Sequence, residues 1–277
     1  MKPTIILVND TDHLDYQSAS AIFGILNAWD VPFTHATFYT LEQIDKYYPG
    51  HSNSLVKHCF ENETASFTDT NSKKYISLLN HQINLGNEIA YHGYSQVSNN
   101  REKFKKGLES INELLIKPMS TYIEHGGNPK HHPIEGCKKE TLEIHGNDKE
   151  TEFFVKDLIK KNFKQSWCYF DLVNAKNNME EKQLTDTLSD KTFYEEENLR
   201  MMKRYRAKDA VSLIETGAAK NKDVIIAYTH FGYKGYPQGT LLESWSSYND
   251  IHRNCEYLAS LRNRGYELTT IRKYLEN

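Results

Sequence analysis

The sequence has little of what marks several protein classes. Cysteine is scarce: Cys59, Cys137, Cys168 and Cys255 are the four among 277 residues. None stands in a Cys-x-x-Cys pair, so a zinc-finger site is not expected, and a chain of this size needs no disulfide framework. The four read as free thiols. An excess of one charge is lacking too. The formal net charge is −3 and the pI about 6.5. Lys and Arg are scattered apart from short runs at residues 101–106 and 203–208, and no nucleic-acid partner is expected. No apolar run is long enough to span a membrane. No signal-like apolar segment precedes the first predicted strand, so the expected location is cytoplasmic. Repeats, low-complexity tracts and linkers are also lacking. One domain over residues 1–277 is the simplest organisation, with 130–210 a divergent insert or poorly readable region. Homo-oligomer formation stays open.

What is present begins at the N-terminus. Ile5-Ile6-Leu7-Val8 leads through Asn9 into Asp10-Thr11-Asp12-His13. β-branched residues favour extended backbone, and a continuous apolar run predicts a strand covered on both faces. In such folds chemistry collects where parallel strands end. Asp10 and Asp12 alternate onto one side of an extended chain. Two ionised carboxylates there repel, and a metal ion is the usual compensation, leaving the second as a base. Asp, Asn and Thr also serve as turn and cap residues. Asp10 or Asp12 capping a helix that begins near Tyr16 is the alternative.

Further along, helical spacing covers residues 16–29, and Asp30-Val31-Pro32 ends it. A strand is predicted at 33–39, a helix at 70–85 with Gly86 as its stop, and a short strand at 87–91 ending at His92. An amphipathic helix spans 101–116. His125-Gly126-Gly127-Asn128 is a loop whose glycines permit close backbone approach. Residues 151–161 and 195–206 read as charged helices, and 166–173, with Trp167, as a strand. A buried strand over 223–230 ends in His230. A helix over 248–264, stopped by Gly265, and a strand over 266–270 close the pattern. Alternating strands and helices predict an α/β fold with parallel strands. Three strand ends then carry Asp10/Asp12, His92 and His230.

The order of these features resembles the polysaccharide deacetylase family, the NodB-like carbohydrate esterases of family 4. The residues that carry the resemblance are Asn9-Asp10-Thr11-Asp12, Ala36-Thr37-Phe38-Tyr39, Gly86-Asn87-Glu88-Ile89 leading into His92-Gly93-Tyr94-Ser95-Gln96, Tyr228-Thr229-His230, and 257–275. The resemblance implies a distorted (β/α) barrel, with about seven parallel strands, and a divergent metal-dependent enzyme. It implies Asp10 as general base, Asp12 and His92 as metal ligands, and His230 as general acid for the leaving amine. The divalent metal, commonly zinc, would polarise the amide carbonyl and activate water. Gln96 falls where the family has its second ligating His, and a neutral amide oxygen holds zinc more weakly than imidazole does. His125 and His13 are candidate substitutes. The family's Arg-x-Pro-Tyr loop falls near 123–129, where the Arg is absent. Trp167 is a candidate pocket wall or a core residue.

The expected activity is therefore removal of an N-acyl group, such as acetyl, from a sugar or glycan intermediate. The alternative is a non-catalytic carbohydrate-binding or regulatory protein of the same fold that has lost its metal site.

Overall fold

The first strand, β1 (Thr4–Asp10), is buried on both faces: from Thr4 to Asn9 no residue exceeds 3% exposure. That is the outcome a continuous β-branched run predicts for a central parallel strand. The computed structural model describes residues 3–11, 14–40, 65–95, 99–123, 146, 148–168, 183–186, 192–194, 224–229 and 248–276.

Eight further strands join β1: β2 (Phe33–Phe38), β3 (Glu88–Gly93), β4 (Thr121–Ile123), β5 (Gln165–Cys168), β6 (Gln183–Asp186), β7 (Thr192–Tyr194), β8 (Val224–Thr229) and β9 (Glu267–Thr269). The helices are α1 (Tyr16–Ala28), α2 (Ser72–Asn84), α3 (Arg101–Leu114), α4 (Lys156–Asn162), α5 (Tyr248–Leu261) and α6 (Ile271–Glu276). The sheet runs β7-β6-β5-β4-β3-β2-β1-β8. β1 to β5, β8 and β9 are mutually parallel. The hairpin β6–β7 extends the β5 edge antiparallel. One edge of β1 pairs with β8 from Thr4 to Asn9. The other is shared, with β9 on Thr4–Ile6 and β2 on Leu7–Asp10. This is the parallel α/β fold the sequence predicts, and among the described residues the sheet is an open path from β7 to β8.

Alternation along each strand separates two faces. Ile5, Leu7, Phe33, Ile89, Tyr91 and Tyr122 join the core formed with the helices, against Phe23, Leu79, Phe104 and Leu258. Ile6, Val8, Ala36, Ala90 and Ile123 are buried outside that cluster. They mark the inner face, which also carries His92.

Local signals set the helices. α1 is capped by Asp15, whose carboxylate accepts from the Ser18 amide at 2.8 Å; neither Asp10 nor Asp12 is its cap. α3 is capped by Asn100. Gly86 and Gly265, the predicted stops, both have positive φ, 87° and 88°, which glycine adopts without a Cβ penalty. Three boundaries differ from the periodicity. The helix predicted over 248–264 turns 3₁₀ at Arg262–Arg264. Residues 151–155 lie ahead of α4 rather than inside it. The third strand runs on through His92 to Gly93, because pairing with β2 continues past the apolar residues. The helix predicted over 195–206 lies outside the described residues.

Candidate active site

The irregularity in β3 falls at the first candidate ligand. Thr37 pairs with Tyr91, but the next residue, Phe38, pairs with Gly93. His92 is thus the extra residue of a β-bulge, a device that re-aims a side chain next to active sites. Gly93 has φ 130°, a backbone region that L side chains rarely adopt.

His92 is 1% exposed. Its Nδ1–H donates to the Ile123 carbonyl oxygen of β4 at 2.7 Å, and its ring lies 4.7 Å from that of Phe38. A carbonyl can only accept, so the bond fixes the tautomer and leaves the lone pair on Nε2. A ligating histidine is held in this way by its second nitrogen. Beyond the bulge, the Asn99 side chain closes the turn, with Oδ1 accepting from Tyr94 and Ser95 and Nδ2 donating to the Ser95 carbonyl.

Asp10 is the last residue of β1, in register with Ala36 of β2. Trp167 lies on β5, in register with Ile123 of β4. β8 ends at Thr229, which pairs with Asn9, and His230 follows it directly in sequence. β1, β3 and β8 are parallel strands of one sheet, so their C-terminal ends lie along the same edge. Asp12, His13, Gln96, His125 and His230 lie outside the described residues. Among the described residues no group of three His, Cys, Asp or Glu could hold a metal. His92 itself fits a metal ligand by burial and tautomer.

Two polar groups escaped the sequence reading. On the helix face, beside the end of β1, Asn9, His35, Thr37 and Tyr75 form a buried hydrogen-bonded set. His35 stands in an otherwise ordinary strand pattern, and Tyr75 reads simply as part of an apolar helix face. At the opposite, N-terminal edge, Glu88 is buried. Its carboxylate accepts from the Thr34 hydroxyl at 2.8 Å, the Arg272 amide at 3.0 Å and the Thr121 hydroxyl. Desolvation pushes its pKa above the ordinary value in spite of these donors. A cleft of about 230 Å³ opens there, lined by Glu88, Lys117, Thr270 and Lys273 among others. It lies at the far end of β3 from His92. Cys255 is buried and free, its thiol pushed up to about 12 by burial, which makes it an inert core residue.

No family model matches the sequence, and no curated protein matches it either. Solved structures do. The CE4 domain of a multidomain xylanase from the hindgut metagenome of Trinervitermes trinervoides matches over 100% of this chain and 91% of its own, at 14% identity and TM-score 0.43. The peptidoglycan deacetylase PdaC from Bacillus subtilis matches over 99% and 90%, at 12% identity and TM-score 0.40. A CE4 family pseudoenzyme from Bacillus anthracis matches over 99% and 66%, at 10% identity and TM-score 0.46. The chain is thus similar in fold to a CE4 domain, to a peptidoglycan deacetylase and to a CE4 family pseudoenzyme. The likeness is remote, and the fold described above rests on the strand registers.

Proposed function

We propose that the chain is a metal-dependent amide hydrolase that removes an N-acyl group from a sugar or glycan intermediate. The observation that carries this reading is the bulged His92, buried at a parallel-strand end with Nδ1–H tied to the Ile123 carbonyl, which puts the imidazole lone pair on Nε2. In this reading Asp12 and Gln96 join His92 as ligands, with His125 or His13 available where Gln96 is too weak. The metal, when bound, supplies Lewis-acid polarisation of the amide carbonyl and a more acidic water.

The remaining work falls to the chain itself. Asp10 takes the proton of the attacking water. His230, one residue beyond the β8 position that pairs with Asn9, gives a proton to the departing amine. The Phe38 ring beside His92 keeps that flank of the imidazole apolar and fixes its plane. Trp167, on β5 in register with Ile123, is the candidate wall for the sugar.

Gln96 in place of a histidine favours a second reading, a carbohydrate-binding or regulatory protein of this fold without catalysis. One measurement separates the two. Metal content of chain purified without chelator is compared with that of His92→Ala. About one zinc, cobalt, nickel or iron per chain, lost in the variant, supports the hydrolase. Absence of metal even after zinc is added sinks it. A screen on N-acetylated sugars follows, in which Asp10→Asn should abolish turnover while retaining metal.

A further inference from the structure

We infer that the buried chain of hydrogen bonds Asn9–His35–Tyr75–Thr37 is a positioning device that holds the end of β1, up to Asp10, from the helix side of the sheet. The inference rests on the proposed reading in which Asp10 and Asp12 work in the site.

All four residues are fully buried. The Asn9 Nδ2–H donates to His35 Nδ1 at 2.8 Å. Nδ1 is then an acceptor, and Nε2–H donates to the Tyr75 hydroxyl, also at 2.8 Å. That hydroxyl in turn meets Thr37 Oγ1 at 2.8 Å. The donor order is continuous and uses a neutral imidazole. The Thr11 hydroxyl lies beside the same phenol without closing a hydrogen bond of ordinary geometry. Asn9 and Thr11 flank Asp10 in sequence, and Asn9 reaches Tyr75 of α2 through His35.

Packing alone does not call for this arrangement. Lower on the same face, Ile5, Leu7 and Phe33 fill the sheet–helix space with apolar atoms. Polar groups replace them only at the C-terminal end of β1 and β2. A buried polar group is costly unless paired, and a fully paired network admits few alternative geometries. The segment beyond β1 is anchored at its other end as well. The Thr11 carbonyl accepts from the Leu14 amide at 2.9 Å, and the Leu14 carbonyl from the Ala65 amide at 2.7 Å. The two anchors bracket Asp12 and His13 in sequence. Site geometry is sensitive to displacements of about 1 Å, so a fixed end of β1 bears directly on the proposed site.

Tyr75→Phe tests this, since it keeps the ring and removes the hydroxyl that bridges His35 and Thr37. Two readouts are taken: hydrogen exchange at the Thr11 and Leu14 amides, and zinc affinity by competition with a fluorescent chelator. Ile111→Val, in the core on α3, supplies a comparable loss of global stability away from the network. The expected result is faster exchange at Thr11 and Leu14 and roughly tenfold weaker zinc binding in Tyr75→Phe, with neither change in Ile111→Val. Unchanged exchange in Tyr75→Phe, or equal acceleration in both variants, overturns the positioning role. If wild type binds no zinc, the metal reading falls by itself and the exchange comparison still decides this one.

Discussion

His92 donates from Nδ1 to the carbonyl oxygen of Ile123, 2.7 Å away across the β3–β4 pair. The bond does two jobs that substitution can separate. It satisfies a buried carbonyl, and it presents Nε2. An asparagine amide can replace the Nδ1 donor but has no nitrogen lone pair to offer where Nε2 stood. His92→Asn should therefore keep more stability than His92→Leu, by about 1–3 kcal/mol, because leucine takes the imidazole donor away from the buried Ile123 carbonyl. Both should lose zinc. Urea unfolding and zinc titration of the two variants check this, and equal stabilities would show that the Ile123 bond contributes little.

Gly93 follows the bulge with φ 130°. A Cβ there would lie 2.7 Å from the Asn99 Oδ1 that holds the Tyr94 and Ser95 amides. Gly93→Ala thus adds backbone strain to a displaced clamp, and about 1–3 kcal/mol of destabilisation follows. Since this turn leads into Gln96, zinc affinity should drop with it. Asn99→Ala, which frees the turn without forcing φ, should weaken zinc binding at a smaller cost in thermal stability. Retained affinity in both variants would show that the turn does not govern the site.

Gly107 lies inside α3, where alanine is favoured over glycine by about 1 kcal/mol. The neighbouring atoms decide otherwise. A Cβ at Gly107 would meet the Tyr91 hydroxyl at 2.6 Å, Tyr39 Cβ at 3.2 Å and Tyr94 Cδ2 at 3.3 Å. The Tyr91 hydroxyl cannot simply retreat, because it donates to the Phe104 carbonyl at 2.8 Å in the core. Gly107→Ala should destabilise by about 1–3 kcal/mol despite its better helix propensity. Gly107→Ala combined with Tyr91→Phe should recover part of that loss. A stabilised single variant in thermal melting would refute the close approach.

How legible this was in the sequence differs from element to element. β1 could be read because a run of Ile, Leu and Val has one use in an α/β chain, a strand covered on both faces. Gly86 and Gly265 could be read because a helix end that turns left-handed needs glycine. The bulge at His92 could not, since it arises from register against β2 and leaves no local trace. Asp15 carried a readable signal, an acceptor placed directly before the first helical residue, which Asp10 and Asp12 obscured. His35 and Tyr75 look like ordinary members of a strand and a helix face. Their role appears only when α2 packs across β2 and brings a hydroxyl to an imidazole. β6 and β7 are short, and Gln183–Asp186 carries polar residues at three of its four positions, so apolar periodicity does not find them.

Glu88 offers a test that depends on pH alone. Burial raises its pKa from an ordinary value of 4.5, so the folded state holds the proton more tightly than the unfolded chain does. Its stabilising contribution is complete below the unfolded value and is lost as pH rises through the folded one. The protonated form can also be accommodated. The acid donates to Thr121 Oγ1, and the Thr121 hydroxyl turns to Gln165 Oε1, 3.1 Å away. Glu88→Gln imitates that neutral state, with its amide N–H directed to Thr121 and its carbonyl oxygen receiving Thr34 and Arg272. Wild type should therefore lose stability relative to Glu88→Gln as pH rises from about 4.5. The variant should match or exceed wild type at pH 7. Urea unfolding of both proteins between about pH 4 and pH 8 reads the difference directly. A gap that closes rather than widens with rising pH would mean that the three donors outweigh desolvation, and that Glu88 is held in the fold as a carboxylate.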